Sequence, residues 1–168
     1  MKTLITSLVT IIMYSSFALA DIKIGYVDLQ KAIQSTSAGK KAKTELETEF
    51  NKRKKEIETK ESDIKKKTED LEKKKAVLSE EAFQKKQVEV QEEMMSYRDL
   101  VGKNQMEIQK KERDLTAPIL EKMKNIIDKM AKDESYSVIL EKNEQSVLWV
   151  KGDLDITEKV VKEFEKAK

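Results

Sequence analysis

A long stretch without helix breakers dominates this chain. Residues 40–117 contain no Pro and one Gly, Gly102, so little in them interrupts a helix. Apolar residues recur in this stretch at intervals of seven, the spacing of a coiled-coil seam. The first series is Phe50, Ile57, Ile64, Leu71 and Leu78, and the second is Phe83, Val90 and Tyr97, joined by Met94, Val101, Ile108 and Leu115. A long helical rod must therefore be the main element of the fold.

The break between the two series predicts an antiparallel helical hairpin. Ser79 is a good N-cap and is followed by two acids in the first turn of the next helix. Folding at this point pairs residues whose numbers sum to 161, such as Leu71 with Val90. We therefore predict an arm over residues 40–115, about 55 Å long at 1.5 Å per residue, with its tip near residues 79–82. One continuous helix is the alternative.

The second seam position of the first arm is unusually basic. It reads Leu46, Arg53, Lys60, Lys67 and Lys74. Aliphatic Lys stems can cover the partner helix while their ammonium groups stay in water. A seam with so little apolar surface predicts an arm that is weakly stable towards its tip. Gly102 falls on the outer face of the second arm, as a tolerated surface residue or a bending point.

The segments that flank the arm predict a small β-sheet body. Alternation over residues 22–28 predicts a strand, residues 29–34 a short helix and residues 35–39 a loop. Pro118 predicts the first turn of a new helix with a wide apolar stripe. Further predictions are strands over residues 136–141 and 146–151, joined as a hairpin by 142–145, and a last helix capped by Asp155 with Ile156, Val160, Val161 and Phe164 on one face.

These elements predict an α+β fold that is mostly α. Residues 21–39 and 116–168 form the body, and a long antiparallel coiled-coil hairpin projects from it. A body of about 70 residues is small for a stable monomer, and its strand edges need partners. We therefore expect oligomerisation through the body. The residues expected to be buried there or in the adjoining core are Ile22, Ile24, Tyr26, Val138, Leu140, Val147 and Trp149.

Residues 1–20 have the organisation of a secretory signal peptide. Lys2 precedes an uncharged, mostly apolar run, and Ala18-Leu19-Ala20 fits the small-x-small cleavage rule. A transmembrane anchor is the alternative, but the run is shorter than the roughly 20 residues of a span. Cleavage leaves a mature chain that begins at Asp21. We therefore expect the protein outside the cytoplasm, in the periplasm.

The composition excludes most catalytic chemistry. The chain has no Cys and no His, which removes thiol nucleophiles, Ser-His-Asp triads and nearly every zinc site. Its 34 basic and 32 acidic groups are nearly balanced, which argues against nucleic-acid binding. The S-x-x-K pattern occurs twice, at Ser37 and at Ser62, as expected by chance in a Lys-rich chain. We predict no enzyme activity, no catalytic or metal site and no cofactor.

Two short motifs resemble those of the periplasmic chaperone Skp, or OmpH-like, family. They are the opening segment at residues 23–29, KIGYVDL, and the Asp155-Ile156-Thr157 start of the last helix. The order of strand, long charged helical insertion, hairpin and final helix is also similar. The resemblance implies a homotrimer whose helical arms enclose a cavity for unfolded outer-membrane proteins. It also implies a basic cluster on the arm for lipopolysaccharide or an anionic membrane surface, for which Lys85 and Lys86 are the candidates.

The main functional hypothesis is therefore a holdase for unfolded outer-membrane proteins. No nucleotide site is predicted, so release must follow from weak binding. Sparse apolar side chains on the arms can make many weak contacts with varied chains, and the candidates for client contact are Phe83, Met94 and Met95. A passive coiled-coil spacer or envelope adaptor is the alternative, although a spacer would favour fully apolar seams.

Overall fold

A computed structural model describes residues 22–143 and 147–167. The predicted signal peptide lies outside these residues. The elements, in chain order, are β1 (Ile24–Val27), α1 (Leu29–Ser35), α2 (Ser37–Lys74), α3 (Glu80–Asp133), β2 (Val138–Glu141) and α4 (Thr157–Lys166), with a 3-10 turn at Gly152–Leu154 before α4. The predicted α+β class, mostly α with a small sheet and a long helical hairpin, is confirmed.

Thr36 separates α1 from α2. Its Oγ1 accepts a hydrogen bond from the Gly39 backbone N–H at 3.0 Å and donates one to the Ile33 carbonyl at 2.8 Å. This N-cap starts α2 at Ser37, so the loop predicted over residues 35–39 is wrong: the hydroxyl allows an abrupt bend. Gly39 is required at this bend, because a Cβ there would lie 1.8 Å from the Ile33 carbonyl oxygen.

The arm is a hairpin of α2 and the first part of α3. Residues 75–79 form the turn, slightly before the predicted tip at 79–82. Ser79 is the N-cap of α3, with its Oγ accepting from the Ala82 N–H at 3.3 Å. Leu78 lies in the turn rather than in α2, and its N–H donates to the Lys74 carbonyl at 3.0 Å.

The second helix of the arm continues without interruption into the body. The break predicted at Pro118 is wrong, because α3 runs through Pro118 to Asp133. Proline removes one helical hydrogen bond, which favours an end or a kink. Here Ile119 and Met123 are buried directly after the proline, with 7% and 0% of their surface exposed. Their burial offsets the lost hydrogen bond.

The sheet has two parallel strands. Ile24 is opposite Val138 and Tyr26 is opposite Leu140. The hairpin predicted between residues 136–141 and 146–151 is wrong: β2 pairs with β1, and residues 147–151 form no strand. Part of the predicted hairpin, residues 144–146, lies outside the described residues. The physical reason is that α3 returns the chain to β1, which offers β2 a free edge.

The core lies where α1, the body end of α3 and α4 meet the sheet. The apolar face predicted for the last helix is confirmed, since Ile156, Val160 and Phe164 are buried. The N-cap predicted at Asp155 lies one residue later: Ile156 is the N-cap of α4 and makes no side-chain cap hydrogen bond. Asp155 Oδ1 instead accepts from the Thr157 N–H at 2.8 Å, from the position before the cap. The buried core is Val27, Ala32, Ala42, Ile119, Met123, Met130, Ile156, Val160 and Phe164. Residues 43–114, all described, contribute none of it.

Candidate functional site

The candidate sites are surfaces rather than a chemical centre. Among the described residues, no group of three or more acidic side chains is arranged to hold a metal ion. No helix in the same ranges is long and apolar enough to cross a membrane. Two surfaces stand out: the hairpin arm, which lies outside the core, and one face of the sheet.

The apolar part of the arm seam is short. Ile64 and Leu71 are buried, each with 7% of its surface exposed. Leu71 and Val90, predicted to face each other, line the same recess between the helices. Three predicted seam residues face outwards instead: Phe50, Met94 and Val101 are 53%, 46% and 36% exposed.

Polar residues, rather than the apolar residues predicted there, form the middle of the seam. Arg53 is at the predicted second position of the first helix, with 23% of its side chain exposed. Its guanidinium contacts Glu49 on its own helix at 2.7 Å. Across the seam it donates to Asn104 Oδ1 at 2.9 Å and to Glu107. Asn104 is only 4% exposed, so this polar cluster is the most buried feature of the arm's middle.

A second set of charges crosses the seam nearer the tip. Glu93 lies between Lys67, which donates to it, and Lys60, whose ammonium is 3.6 Å away. The hydrogen bond from Lys67 lowers the pKa of the Glu93 carboxyl, against an opposing effect of burial, and Lys60 lowers it further. Thus Lys60 and Lys67 do more than cover the partner helix with their stems: they form cross-arm ion pairs.

Sequence reasoning missed Asn104, although the interval of seven contains its signal. Asn104 follows Phe83, Val90 and Tyr97 in that series. A search for apolar residues passes over it and moves to Met94 and Val101. A single buried Asn at a seam position is a known way to fix the register of paired helices. The series therefore identified the correct face of α3 at three positions, and the same interval of seven would have identified Asn104 as the fourth.

One face of the sheet is apolar and is left largely uncovered by the described residues. Gly25 and Val27 of β1 are buried, whereas the alternate residues point away from the core. Tyr26 and Val147 are half-buried. The exposed members of the predicted body set are Ile22 (70%), Ile24 (36%), Val138 (39%), Leu140 (43%) and Trp149 (80%). The structure thus places the predicted oligomerisation residues along one side of the body, next to an even more exposed Leu148 (96%).

The other predicted contact residues are separated along the arm. Phe83 is half-buried beside the turn, with the Lys75 ammonium 5.7 Å from its ring centroid. Met95 is 63% exposed, as suits a contact residue. Lys85 and Lys86 are exposed, but Lys86 borders a recess that also carries Asp70, Glu89 and Glu93. The surroundings of Lys86 are therefore mixed in charge.

Comparison with known proteins establishes the family. A family model described as "Outer membrane protein (OmpH-like)" matches residues 23–164, which include both strands and the whole arm. The chain belongs to the OmpH-like family. The OmpH-like resemblance predicted from residues 23–29 and 155–157 is thereby confirmed.

A solved structure shares the OmpH-like fold. It is a candidate outer membrane chaperone (OmpH-like) from Caulobacter crescentus, with a TM-score of 0.74 and 17% sequence identity. The match covers 88% of this chain and 86% of that protein. Among curated proteins, none is significantly similar to this OmpH-like chain.

Proposed function

We propose that this protein is an ATP-independent periplasmic holdase that keeps unfolded outer-membrane proteins soluble before their insertion. The observation that carries the proposal is the arm of an OmpH-like chain: residues 43–114 project from the body and contribute nothing to its core. From Ala42 to Lys74, α2 alone reaches about 50 Å at 1.5 Å per residue. An element of this size that does not stabilise the body is available to bind something else.

We propose that the body forms a homotrimer, which would bring three arms together. The support is the uncovered sheet face with Ile24, Val138 and Leu140 and the neighbouring Trp149. An isolated two-stranded sheet is marginal in water, and its open edges attract further strands. Covering this face with other copies would stabilise the sheet and enclose a space between the arms. Sedimentation equilibrium should then give three times the mass of the mature chain.

The surface of the arm suits weak and adaptable binding. Met95 and Met106 are 63% and 65% exposed, and Met side chains adapt to varied partners. The mature chain is nearly neutral, so charge contributes diffuse contacts rather than a dominant attraction. Raising the salt concentration should therefore weaken client binding only in part. Binding of lipopolysaccharide or an anionic membrane surface at Lys85 and Lys86 stays a secondary proposal.

Shortening the arm tests the proposal. In the mature protein, residues 57–104 are replaced by a short turn, which joins α2 to α3 below the arm's middle. A β-barrel protein in urea is then diluted into buffer, and light scattering reports its aggregation. We expect full-length protein to suppress scattering and the shortened protein to lose most of this effect while remaining trimeric. Equal protection by both proteins would show that the arms are not the binding element.

A further inference from the structure

A second amphipathic face runs along α3, separate from the seam. The seam follows Val90, Tyr97 and Asn104, which are half-buried or buried. On another side of the helix, residues spaced three and four apart carry five glutamines: Gln84, Gln87, Gln91, Gln105 and Gln109. All five are exposed. We name the side of α3 between Gln84 and Gln109 that carries these glutamines the neutral face.

The same face carries most of the exposed apolar side chains of the arm. They are Val88 (51%), Met94 (46%), Met95 (63%) and Val101 (36%). Along α2, by contrast, Phe50 is the single large apolar side chain that is exposed, all residues of α2 being described. The apolar surface of the arm is therefore concentrated on one of its two helices.

The neutral face is nearly free of charge in a chain with 39% charged residues. Its single charged member is Arg98, and it contains no acid. Among the described residues, Arg98 forms no ion pair, and Gln87, Gln91 and Gln105 make no side-chain hydrogen bond. Towards its body end is Gly102, where an added Cβ would meet nothing within 4 Å. Gln84 Nε2 donates to Glu80 Oε1 at 2.9 Å, whereas Gln87, Gln91 and Gln105 can turn to a ligand without first breaking a hydrogen bond.

We propose that this neutral face is the surface of the arm that binds the client, and that it takes an extended polypeptide segment of an unfolded β-barrel protein. The inference rests on the holdase function proposed above and specifies its binding surface. Glutamine amides donate and accept hydrogen bonds, which an extended backbone offers at every residue. Methionine and valine between them contact the apolar side chains that alternate along a barrel strand.

Length and charge agree with this occupant. The neutral face spans about 38 Å from Gln84 to Gln109 at 1.5 Å per residue. An extended chain covers that distance with about 11 residues at 3.4 Å each, close to the 9–11 residues of a transmembrane β-strand. The lipid-facing side of such a strand is uncharged, so a surface without acids binds it without desolvating an unpaired charge.

A second copy of the arm fits the neutral face less well. The backbone groups of a helix are already paired internally, so they leave the glutamines without partners. Helix seams also favour Leu, Ile and Val over Met, and Gly102 offers no side chain to pack. These features favour an extended client, and contact between two arms becomes an outcome of the test.

Site-specific photocrosslinking locates the client on the arm. The photoreactive residue benzoylphenylalanine replaces Gln91, Met95 or Gln105 on the neutral face, and Lys66 or Lys103 on charged surfaces as controls. Lys66 and Lys103 are 75% and 69% exposed, so accessibility is matched. Each trimer receives a urea-denatured β-barrel protein and is irradiated. We expect client adducts from the neutral face and few from the controls.

Two double variants of equal net charge measure the contribution of the neutral face to client binding. Gln91→Glu with Gln105→Glu places two negative charges on the neutral face, while Lys103→Gln with Lys110→Gln lowers the net charge by the same amount on the charged flank. All four residues are exposed, and these substitutions preserve helix propensity. We expect the first pair to weaken client binding about tenfold or more and the second less than about twofold.

Three results would overturn the inference. Equal weakening by the two pairs would indicate general electrostatics, and equal crosslinking at all positions would indicate a client without a preferred face. Adducts with a second copy of the chain would identify the neutral face as a contact between arms. In each case protection against aggregation by the wild-type trimer would persist, so the holdase function would stand. Loss of that protection in the wild type would instead refute the holdase function itself.

Discussion

Arg53 offers the sharpest test of how the arm is held together. Its guanidinium contacts Glu49 at 2.7 Å, Asn104 at 2.9 Å and Glu107, so it joins α2 to α3 at a point where Asn104 is 4% exposed. The variant Arg53→Met keeps a long aliphatic side chain and removes all these contacts. It therefore separates polar bonding from packing.

The expected loss follows from burial. A hydrogen bond to a charged group contributes about 1.5–3 kcal/mol when shielded, and exposed ion pairs contribute about 0.2–1 kcal/mol. Arg53 is 23% exposed, and its removal leaves the buried Asn104 without this donor. We therefore expect Arg53→Met to lower the local stability of the arm by about 1–3 kcal/mol, or roughly five- to 150-fold in the opening equilibrium.

Hydrogen exchange followed by mass spectrometry measures this local opening. Peptides that cover residues 45–60 and 98–110 should lose protection, while those from the body should not. The matched control is Lys54→Met, one residue away. Lys54 is 60% exposed and lies 3.7 Å from Glu58, so its loss should change stability by less than about 0.5 kcal/mol.

A further variant checks the physical reason. Replacing Arg53, Asn104 and Glu107 together by Leu removes the charges and the amide at once. Such replacements of buried polar groups are often neutral or stabilising, so protection should return to the wild-type level or exceed it. Unchanged exchange in Arg53→Met would refute the reasoning, because the polar cluster would then contribute nothing to the arm.

Three further predictions concern the body and the arm backbone. Gly39→Ala should destabilise the body by about 1–3 kcal/mol in thermal unfolding, because its Cβ would lie 1.8 Å from the carbonyl oxygen of residue 33. Gly102→Ala should stabilise the arm by about 0.5–1 kcal/mol, because Ala has the higher helix propensity and its Cβ would meet no neighbour. The hydrogen bond from the N–H of residue 31 lowers the pKa of Asp28, helped by Lys142 and opposed by burial. The ionised Asp28 carboxylate therefore contributes its full share to the stability of the fold above the unfolded pKa of about 3.9. This contribution is lost as the pH falls through the lower pKa of the folded state. Asp28→Asn should keep the N-cap but reduce the fall of the melting temperature with decreasing pH below about pH 4. Trp149→Glu should convert the proposed trimer into monomers in sedimentation equilibrium; a persistent trimer would contradict the proposed interface.

Those parts of the fold that depend on local periodicity could be predicted from the sequence. Intervals of seven located the hairpin and the facing of Leu71 and Val90, and alternation located β1. Thr36 shows the limit of local signals, because Ser and Thr suit both loops and caps. Only its contact with the Gly39 N–H decides between a loop and an abrupt bend.

Non-local contacts account for the remaining errors. The partner of β2 could not be predicted from neighbouring residues, because α3 separates it from β1. The seam register in the middle of the arm depends on the Arg53 and Asn104 pair, which a search for apolar residues passes over. The neutral face has a clear sequence signal in its spaced glutamines, but its meaning depends on their exposure, which only the structure describes.

The polar seam and the neutral face are two consequences of one requirement on α3. This helix must bind α2 with one side and remain soluble while another side exposes Met and Gln. Fixing the register with Arg53, Asn104 and Glu107 reduces the number of apolar residues that the seam needs, and the dense charge elsewhere keeps the free arm in solution.

A holdase without nucleotide must also release its client, which requires individually weak contacts. Three such faces in one trimer would hold one chain through many weak contacts, because binding at one arm raises the effective concentration at the next. Folding of the client would remove its extended segments and thereby end the binding.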